Sequence, residues 1–406
     1  MRKLTPESRY DMNVIQDVID KICSEGVLID DKTTVELMLE LEGKIESSNA
    51  LAEQILNEKF DWDFINVKSP KQLSDFYTHW GYAKYGNPGK AGTNFPTECL
   101  EKIIELDDQM KEITQLFINI MADRYSLSAM ESVRKHGQPT EADGISIVYP
   151  EYSQADSGRI HFTKPNLSNL GERKRMVVAG EGYKLISFDY KNQEPWIIAN
   201  MLGLESVLKR MEAGEDYYRA LAEEYCGITI SDADRKPFKT SVIAIGYLCT
   251  LPTALNGIPD HLRQTVKDFY SVFTKLPEFV AFREKVQECF DGDRTMRTYF
   301  NTPWEVAHYR GMNYSTWERS AFNRPFQATG VDILFFALEG LEEIYKEIGG
   351  DIRTYITLHD EVVIRVKEEL VTDELVEKLR NAVLFDVEGW TQLRVDTKIL
   401  DTWLDK

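Results

Sequence analysis

Two strand-like segments of this chain each carry an aspartate where a half-buried strand would normally carry an apolar residue. The first, residues 184–190, contains Asp189, and the second, residues 355–366, contains Asp360. Burying an unpaired carboxylate costs several kcal/mol, so two such positions indicate a shared compensating charge. Carboxylates suit Mg²⁺, which proteins often hold with one or two of them together with substrate phosphates. The pair therefore predicts a site that handles phosphates with the help of a metal.

A basic cluster lies between the two aspartates, at the predicted start of a helix. Arg235, Lys239, Ile243 and Tyr247 follow one another at spacings of four, which places them on one slowly turning stripe. Pro237 is tolerated in the first helical turn, so the two cations are predicted near the N-terminal end, which attracts anions. Arg and Lys one turn apart suit a polyphosphate. A solvated basic end on an ordinary surface helix would explain the same residues.

A polar stripe runs along a second predicted helix, residues 316–347. Arg319, Asn323 and Gln327 recur every four residues among Ala, Phe and Leu, and Pro325 lies inside the helix. Such side chains can bond base edges, especially in the less discriminating minor groove. A kinked core helix with satisfied amides is the alternative.

The second aspartate is flanked by His359 and Glu361. A turn with a satisfied histidine would explain an isolated His-Asp-Glu sequence. Opposite another aspartate strand, the same three residues indicate a catalytic cluster equally well. Taken singly, none of these motifs decides the function.

The net charge limits the partners that the whole surface can attract. The chain has 406 residues, enough for two or three subdomains, and a net charge of −19. That charge argues against non-specific binding of nucleic acid. Any such contact must use local basic patches, for which residues 134–136, 173–175 and 235–239 are the candidates.

The cysteines and the N-terminus predict a reducing, cytoplasmic location. Five cysteines include no Cys-x-x-Cys pair, which predicts neither a disulfide framework nor a zinc site. The N-terminus lacks the apolar core of a signal peptide. No run of 18 apolar residues is present, so we expect no membrane contact.

Periodicity predicts an α+β fold, a sheet that carries a helical insertion. Two helices are predicted within residues 8–59, a long helix over about 97–133, and mostly helices over 193–310. The aspartate strands and a final strand at 393–399 provide the sheet. Ser69 is predicted to cap a further helix that begins at Pro70.

The order and spacing of these motifs resemble family A DNA polymerases, of the bacterial DNA polymerase I type. The Asp189 to Glu194 segment is similar to the family's motif A, the Arg235 to Tyr247 helix to motif B, and His359 to Glu361 to motif C. Further matches lie at Gly158-Arg159, Pro165 to Asn169, Glu318 to Thr329, and Asn66 to Leu73. The resemblance covers roughly residues 10–406. The sequence pattern of the motifs is closer to that of phage members of the family than to that of bacterial members.

The resemblance implies a right-hand fold with an antiparallel-sheet palm, helical fingers and a helical thumb. The expected divisions are residues 1–145 for the N-terminal helices and thumb, 146–192 for the first part of the palm, 193–310 for the fingers, and 311–406 for the second part of the palm. With these divisions, we expect no 3′–5′ or 5′ exonuclease domain within this sequence.

The resemblance also implies roles for individual residues. Catalysis is expected of Asp189, Asp360 and Glu361, and the binding of two Mg²⁺ ions of Asp189, Asp360 and the Tyr190 carbonyl. Nucleotide binding is expected of Arg235, Lys239, Ile243, Tyr247 and Glu194, with Glu194 beside Tyr247 excluding a ribose 2′-hydroxyl. DNA binding is expected of Arg159, Asn166, Asn169, Arg319, Asn323, Gln327 and His359.

The expected activity is template-directed addition of dNTPs to a primer, with primer-template DNA as partner and any exonuclease or replication proteins unknown. A single-subunit RNA polymerase and a degenerate polymerase that only binds DNA are the alternatives. The chain departs from the family pattern at Ile243, where Phe or Tyr is usual, and at Trp196, where Arg is usual. Lys191-Asn192 replaces Ser-Gln in motif A.

Overall fold

The computed structural model describes residues 1–89, 92–155, 158–292, 295–305 and 314–404. The helices are α1 (Met12–Glu25), α2 (Asp31–Ile55), α3 (Pro70–His79), α4 (Thr97–Leu106), α5 (Asp108–His136), α6 (Gln193–Leu202), α7 (Glu205–Glu212), α8 (Tyr217–Cys226), α9 (Asp232–Gly246), α10 (Leu251–Ala254), α11 (Asp260–Phe273), α12 (Pro277–Asp291), α13 (Tyr314–Ile348) and α14 (Asp373–Val383). The strands are β1 (Arg2–Leu4), β2 (Val27–Asp30), β3 (Asn87–Gly89), β4 (Gly92–Asn94), β5 (Gln138–Pro139), β6 (Ile145–Val148), β7 (Glu151–Gln154), β8 (Ile160–Thr163), β9 (Tyr183–Tyr190), β10 (Thr295–Arg297), β11 (Pro303–Glu305), β12 (Ile352–Leu358), β13 (Glu361–Lys367), β14 (Phe385–Val387) and β15 (Val395–Leu400).

The chain forms two compact units. The first consists of Met1–Leu28, Tyr149–Thr163 and Val177–Lys406, and the second of Ile29–Val148 and Lys164–Met176. The predicted α+β class is confirmed, since helices and antiparallel sheets are both present. Among the helices of the described residues, none combines the length and the apolar character that crossing a membrane requires.

A four-stranded antiparallel sheet organises the first unit, in the order β12-β13-β9-β15. Strand β9 is internal, and Ile186, Phe188 and Tyr190 along it are buried. Asp189 is exposed at the end of the strand, so the sheet accommodates it without the full cost of burying a carboxylate. Helix α13 packs against β12 and against α6, α12 and α14.

The N-terminal segment is tied to α13 in the same unit. Strand β1 pairs in parallel with β14, and the Arg2 guanidinium lies 2.5 Å from the Glu339 carboxylate. The Tyr10 hydroxyl donates a hydrogen bond to Asp332 Oδ1 over 2.8 Å. Burial raises the pKa of Asp332 to about 6, since only 2% of the residue is exposed.

Asp332→Asn is expected to change stability in a pH-dependent way. A carboxyl whose pKa is higher in the folded than in the unfolded state stabilises the fold when protonated, and this contribution is lost as the pH rises through about 6. The neutral amide should therefore be more stable than the parent at pH 8, by up to about 3 kcal/mol, and the gap should close near pH 4. Urea unfolding of both proteins at pH 4 and pH 8 measures this difference in the free energy of unfolding. A gap that does not depend on pH would contradict the assignment.

Helices α2 to α5 build the second unit around an aromatic core. Phe76 and Tyr77 of α3 pack against Phe117 of α5, and the Tyr77 hydroxyl bonds Thr114 Oγ1 over 3.0 Å. Helix α3 begins as the sequence predicts, with Pro70 in its first turn and the Ser69 side chain accepting a bond from the backbone of the new helix.

The single long helix predicted over residues 97–133 is wrong. The structure has two helices, α4 and α5, separated by Asp107 in an extended conformation (φ −147°, ψ 108°). The Asp107 carboxylate accepts a hydrogen bond from the backbone N–H of Gln109 over 2.8 Å and another from the Tyr82 hydroxyl. Aspartate at an N-cap favours starting a new helix, and this local bond competes with continuing the old one.

Candidate active site

The two predicted aspartates lie at neighbouring strand ends of the four-stranded sheet. Asp360 belongs to a two-residue loop that joins β12 to β13, since Leu358 and Glu361 pair across it. The first loop residue, His359, has φ +56°, a conformation that tight hairpins require and that His adopts more readily than most residues. The Tyr190 backbone N–H donates to the Asp360 carbonyl over 3.2 Å. Backbone geometry thus brings the end of β9 against the loop that carries Asp360.

One pocket of about 330 Å³ brings together most of the predicted nucleotide and metal residues. Its lining includes residues of the sheet, the start of α6 and one face of α9. The predicted residues among them are Asp189, Tyr190, Glu194, Lys239, Ile243, Tyr247 and Asp360. The aspartates of motifs A and C, at positions 189 and 360 of the chain, therefore share one cavity.

A second pocket of about 260 Å³ adjoins the first in the same unit. It shares Gln193, Glu194 and Asp360 with the first pocket, and adds Arg159, Gln327 and His359. These three were all predicted to contact DNA. The structure places them around one cavity next to the carboxylates.

The carboxyls that both pockets share lie in a partly desolvated environment. Burial raises the pKa of Glu194, and the Arg159 guanidinium, 3.5 Å from Glu194 Oε2, opposes that rise. Burial also raises the pKa of Asp360. A desolvated carboxyl gains stability in its ionised form from any added positive charge, so the site favours a bound cation.

The start of α9 differs from the prediction. The helix begins at Asp232, where the Ser231 side chain caps it, so Arg235 and Lys239 lie beyond its first turn and Pro237 lies inside it. Anion attraction by the helix N-terminus, which acts within the first turn, is weaker at these positions than the sequence suggested.

Arg235 is paired with a carboxylate that the sequence analysis did not single out. Its Nε lies 3.0 Å from Asp216 Oδ2, and Asp216 also caps α8. Arg235 and Lys239 both lie 5.5 Å from the ring centroid of Tyr218, within the range of cation–π attraction. Lys239 lines the larger pocket, whereas Arg235 is not among the described residues that line it and is bonded to Asp216.

The remaining predicted residues lie elsewhere in the two units. Glu361 Oε1 accepts hydrogen bonds from Ser187 Oγ over 2.7 Å and from Trp403 Nε1 over 3.0 Å. Arg319 lines a separate cavity of about 470 Å³. Among the described residues no hydrogen-bond partner is found for the buried Asn323 Oδ1.

Two predicted DNA contacts, Asn166 and Asn169, belong to the second unit. The Asn166 side chain accepts a bond from the Ser168 backbone over 3.0 Å. Asn169 Nδ2 donates to the Tyr125 hydroxyl over 2.6 Å. Tyr125 itself is 61% exposed, so this pair lies at the surface of its unit.

The oxygen donors of this site fit a hard cation whose remaining coordination positions are filled by other ligands. Within the described ranges, no three His, Cys, Asp or Glu side chains are grouped closely enough to hold a metal. Asp189, Asp360 and the Tyr190 carbonyl nevertheless offer the oxygen ligands that Mg²⁺ takes, and Mg²⁺ commonly fills its shell with waters and substrate phosphates.

Sequence reasoning gave no role in the site to Asp216, Tyr218 or Lys191. Asp216 and Tyr218 precede the basic helix and hold its cations, but only the fold shows that they meet it. Lys191 lines the larger pocket, and the sequence did signal it, because it replaces the usual serine within motif A.

Comparison with known proteins assigns the chain to a family. The model of DNA polymerase family A matches residues 33–405, and the chain belongs to that family. It is 27% identical to DNA polymerase I of Pseudomonas aeruginosa, over 89% of this chain and 40% of that protein. It is 22% identical to DNA polymerase I of Lactococcus lactis, over 96% of this chain and 45% of that protein. The chain thus spans less than half the length of these curated relatives.

A solved structure shares the fold. The polymerase domain of Pol1 from M. smegmatis, determined in complex with DNA primer-template and dNTP, superposes with a TM-score of 0.81 at 20% identity. The match covers 98% of this chain and 70% of that one. The predicted fold class is confirmed by this likeness.

Proposed function

We propose that this chain is a template-directed DNA polymerase that adds dNTPs to the 3′ end of a primer on primer-template DNA. The observation that carries the proposal is the shared pocket. It combines the two aspartates with Lys239 for a triphosphate and with Glu194 and Tyr247 for a sugar. Membership of DNA polymerase family A supports the same activity.

Two Mg²⁺ ions are proposed as cofactors, held by Asp189, Asp360 and the Tyr190 carbonyl. Bound Mg²⁺ would stabilise the attacking and leaving oxygens of an in-line nucleotidyl transfer. The sheet supplies the rigidity that such ligands need, because the bond from Tyr190 N–H to the Asp360 carbonyl fixes one strand end against the other. Glu361 would support the loop through its bonds to Ser187 and Trp403.

The nucleotide is proposed to lie along α9. Lys239 would bind the triphosphate, and Arg235 would join it by exchanging its bond to Asp216 for a phosphate oxygen. Ile243 would pack on the base or sugar. Glu194, beside Tyr247 in the pocket lining, would occupy the space that a ribose 2′-hydroxyl needs.

The DNA is proposed to contact the smaller pocket and the polar stripe of α13. Arg159, Gln327 and His359 line that pocket and would face the minor-groove side of the new base pair and the primer end. Arg319, Asn323, Asn166 and Asn169 are proposed as further contacts. Their amide and guanidinium groups suit base edges and phosphates.

The division into subdomains and the cellular location stay predictions. Residues 1–145 are proposed as N-terminal helices and thumb, 146–192 and 311–406 as palm, and 193–310 as fingers. The boundary between 310 and 311 lies outside the described residues. A cytoplasmic location is supported by Cys23, Cys226 and Cys249, which are free thiols.

Primer extension tests the proposed activity against its alternatives. The protein is incubated with primer-template DNA, Mg²⁺ and either dNTPs or NTPs. Extension with dNTPs alone supports the DNA polymerase. Extension with NTPs would favour an RNA polymerase, and duplex binding without any extension would favour a degenerate homologue.

Lys239→Ala is expected to raise the KM for dNTP by about tenfold or more, because a charge-assisted bond to phosphate is lost. Affinity for the primer-template duplex should not change. Steady-state kinetics with varied dNTP, beside a DNA titration, measure both. Lys236→Ala, an exposed lysine on the same helix, is the matched control. Equal effects of the two substitutions would remove Lys239 from the triphosphate site.

A further inference from the structure

A lysine directly after β9 lies at the larger pocket and has no role in the proposed catalysis or nucleotide binding. Lys191 lines that pocket together with Asp189, Asp360 and Lys239. Its backbone N–H donates to the Arg394 carbonyl over 2.9 Å, so the chain at this point is fixed against the segment that leads into β15. The side chain is about half exposed and is free to reorient about its flexible stem.

The Lys191 ammonium is held near the metal-binding aspartate by a second carboxylate. Its Nζ lies 2.7 Å from Asp396 Oδ1. Asp396 stands on β15 directly opposite Asp189 on β9, and side chains directly opposite in an antiparallel pair project from the same face. Lys191 is therefore kept on the face of the sheet that carries Asp189.

In the part of the chain that the structure describes, the pocket is lined by more carboxylates than cations, so Lys191 supplies a large part of its positive charge. Among the described residues that line it, the carboxylates are Asp189, Glu194 and Asp360, and the lysine and arginine cations are Lys191 and Lys239. Arg235 is not among these lining residues, and it can reach a phosphate only by leaving Asp216. A polyphosphate that enters such a pocket needs every cation that can reach it.

We propose that Lys191 is a further binding residue for the phosphates of the incoming nucleotide, beside Lys239 and Arg235, and that Asp396 holds its ammonium in place until the nucleotide arrives. This inference rests on the proposed function in taking a nucleoside triphosphate as the ligand of the pocket. The exchange is favourable because an exposed ion pair contributes little to stability, whereas an ammonium–phosphate bond is among the stronger polar contacts. The serine that is usual here in the family could not supply this charge.

The test measures phosphate affinity in four proteins: the parent, Lys191→Ala, Asp396→Asn and the double variant. Equilibrium titration with a fluorescent dNTP and Mg²⁺, in the absence of DNA, gives the Kd. Primer extension gives the KM for dNTP and the inhibition constant of pyrophosphate. Lys191→Ala is expected to weaken both ligands about tenfold or more, while affinity for duplex DNA stays unchanged.

Asp396→Asn separates a binding role from a merely structural one. If Lys191 binds phosphate, releasing it from Asp396 should leave affinity unchanged or improve it, and the double variant should behave like Lys191→Ala. If the ion pair only braces β15, the two single variants should weaken binding equally, and the inference is wrong. Lys398→Ala, an exposed lysine on the same strand, controls for the change in net charge.

The outcomes for the two proposals can be told apart. A parent protein that extends primers while Lys191→Ala keeps full phosphate affinity supports the polymerase and overturns the role of Lys191. A parent that binds the labelled triphosphate through Lys191 but extends no primer overturns the polymerase and leaves Lys191 as a phosphate ligand.

Discussion

Asp189→Asn and Asp360→Asn are each expected to lower primer extension by about 10³-fold or more. Each substitution removes an oxygen anion from the proposed metal site, and metal-assisted charge stabilisation is worth several kcal/mol, at about 1.4 kcal/mol for each factor of ten in rate. The exposed position of Asp189 and the loop position of Asp360 mean that neither side chain is part of the hydrophobic core. Folding and duplex affinity should therefore persist.

Single-turnover extension of a labelled primer at saturating dNTP measures the loss. Circular dichroism and a DNA titration show whether the fold and DNA binding remain. Asp386→Asn changes an exposed aspartate on β14, outside the residues that line the pocket, and should extend like the parent. Either active-site variant within tenfold of the parent would refute the two-metal assignment.

Glu194→Ala is expected to admit ribonucleotides, with a fall of about 10²-fold or more in the preference for dCTP over CTP. The carboxylate lies in the pocket lining with Tyr247 and is held by Arg159 at 3.5 Å. Truncation opens room for one hydroxyl and removes a desolvated acid that the hydroxyl would otherwise displace. Addition of dCTP should also slow, because Arg159 loses its partner.

The ratio of kcat/KM for dCTP and CTP, measured in parent and variant, decides this prediction. Glu194→Gln keeps nearly the same volume without the charge, so it separates steric exclusion from charge. If both variants discriminate as the parent does, Glu194 does not select the sugar, and the site then gives no reason to prefer a DNA polymerase over a single-subunit RNA polymerase.

Those site residues could be predicted from the sequence whose charge is unusual for the segment in which they occur. Acids at the ends of apolar strands and a basic stripe on a helix are such cases, and Asp189, Asp360 and Lys239 do share one pocket. The predicted capping of α3 by Ser69 was equally local, and the structure contains it. Such features can be predicted because they depend on residues that are close together in the sequence.

The sequence did not allow prediction of contacts that only the fold creates. The pairing of Arg235 with Asp216 joins two helices, and that of Lys191 with Asp396 joins β9 to β15. Neither is visible in any periodicity. The break at Asp107 was missed for a different reason, because apolar spacing continued through it while one side-chain bond to the backbone ended the helix.

The two-residue loop that carries Asp360 limits how far the length of the β12–β13 hairpin can change without loss of the site. Its neighbours Leu358 and Glu361 are locked in register, and β13 is in turn locked to β9. A residue inserted in the loop would displace the acid, and a one-residue slip in β13 would turn every side chain of that strand to the opposite face. A change of length at this hairpin is therefore expected to destroy the site, whereas surface connections between helices tolerate such changes.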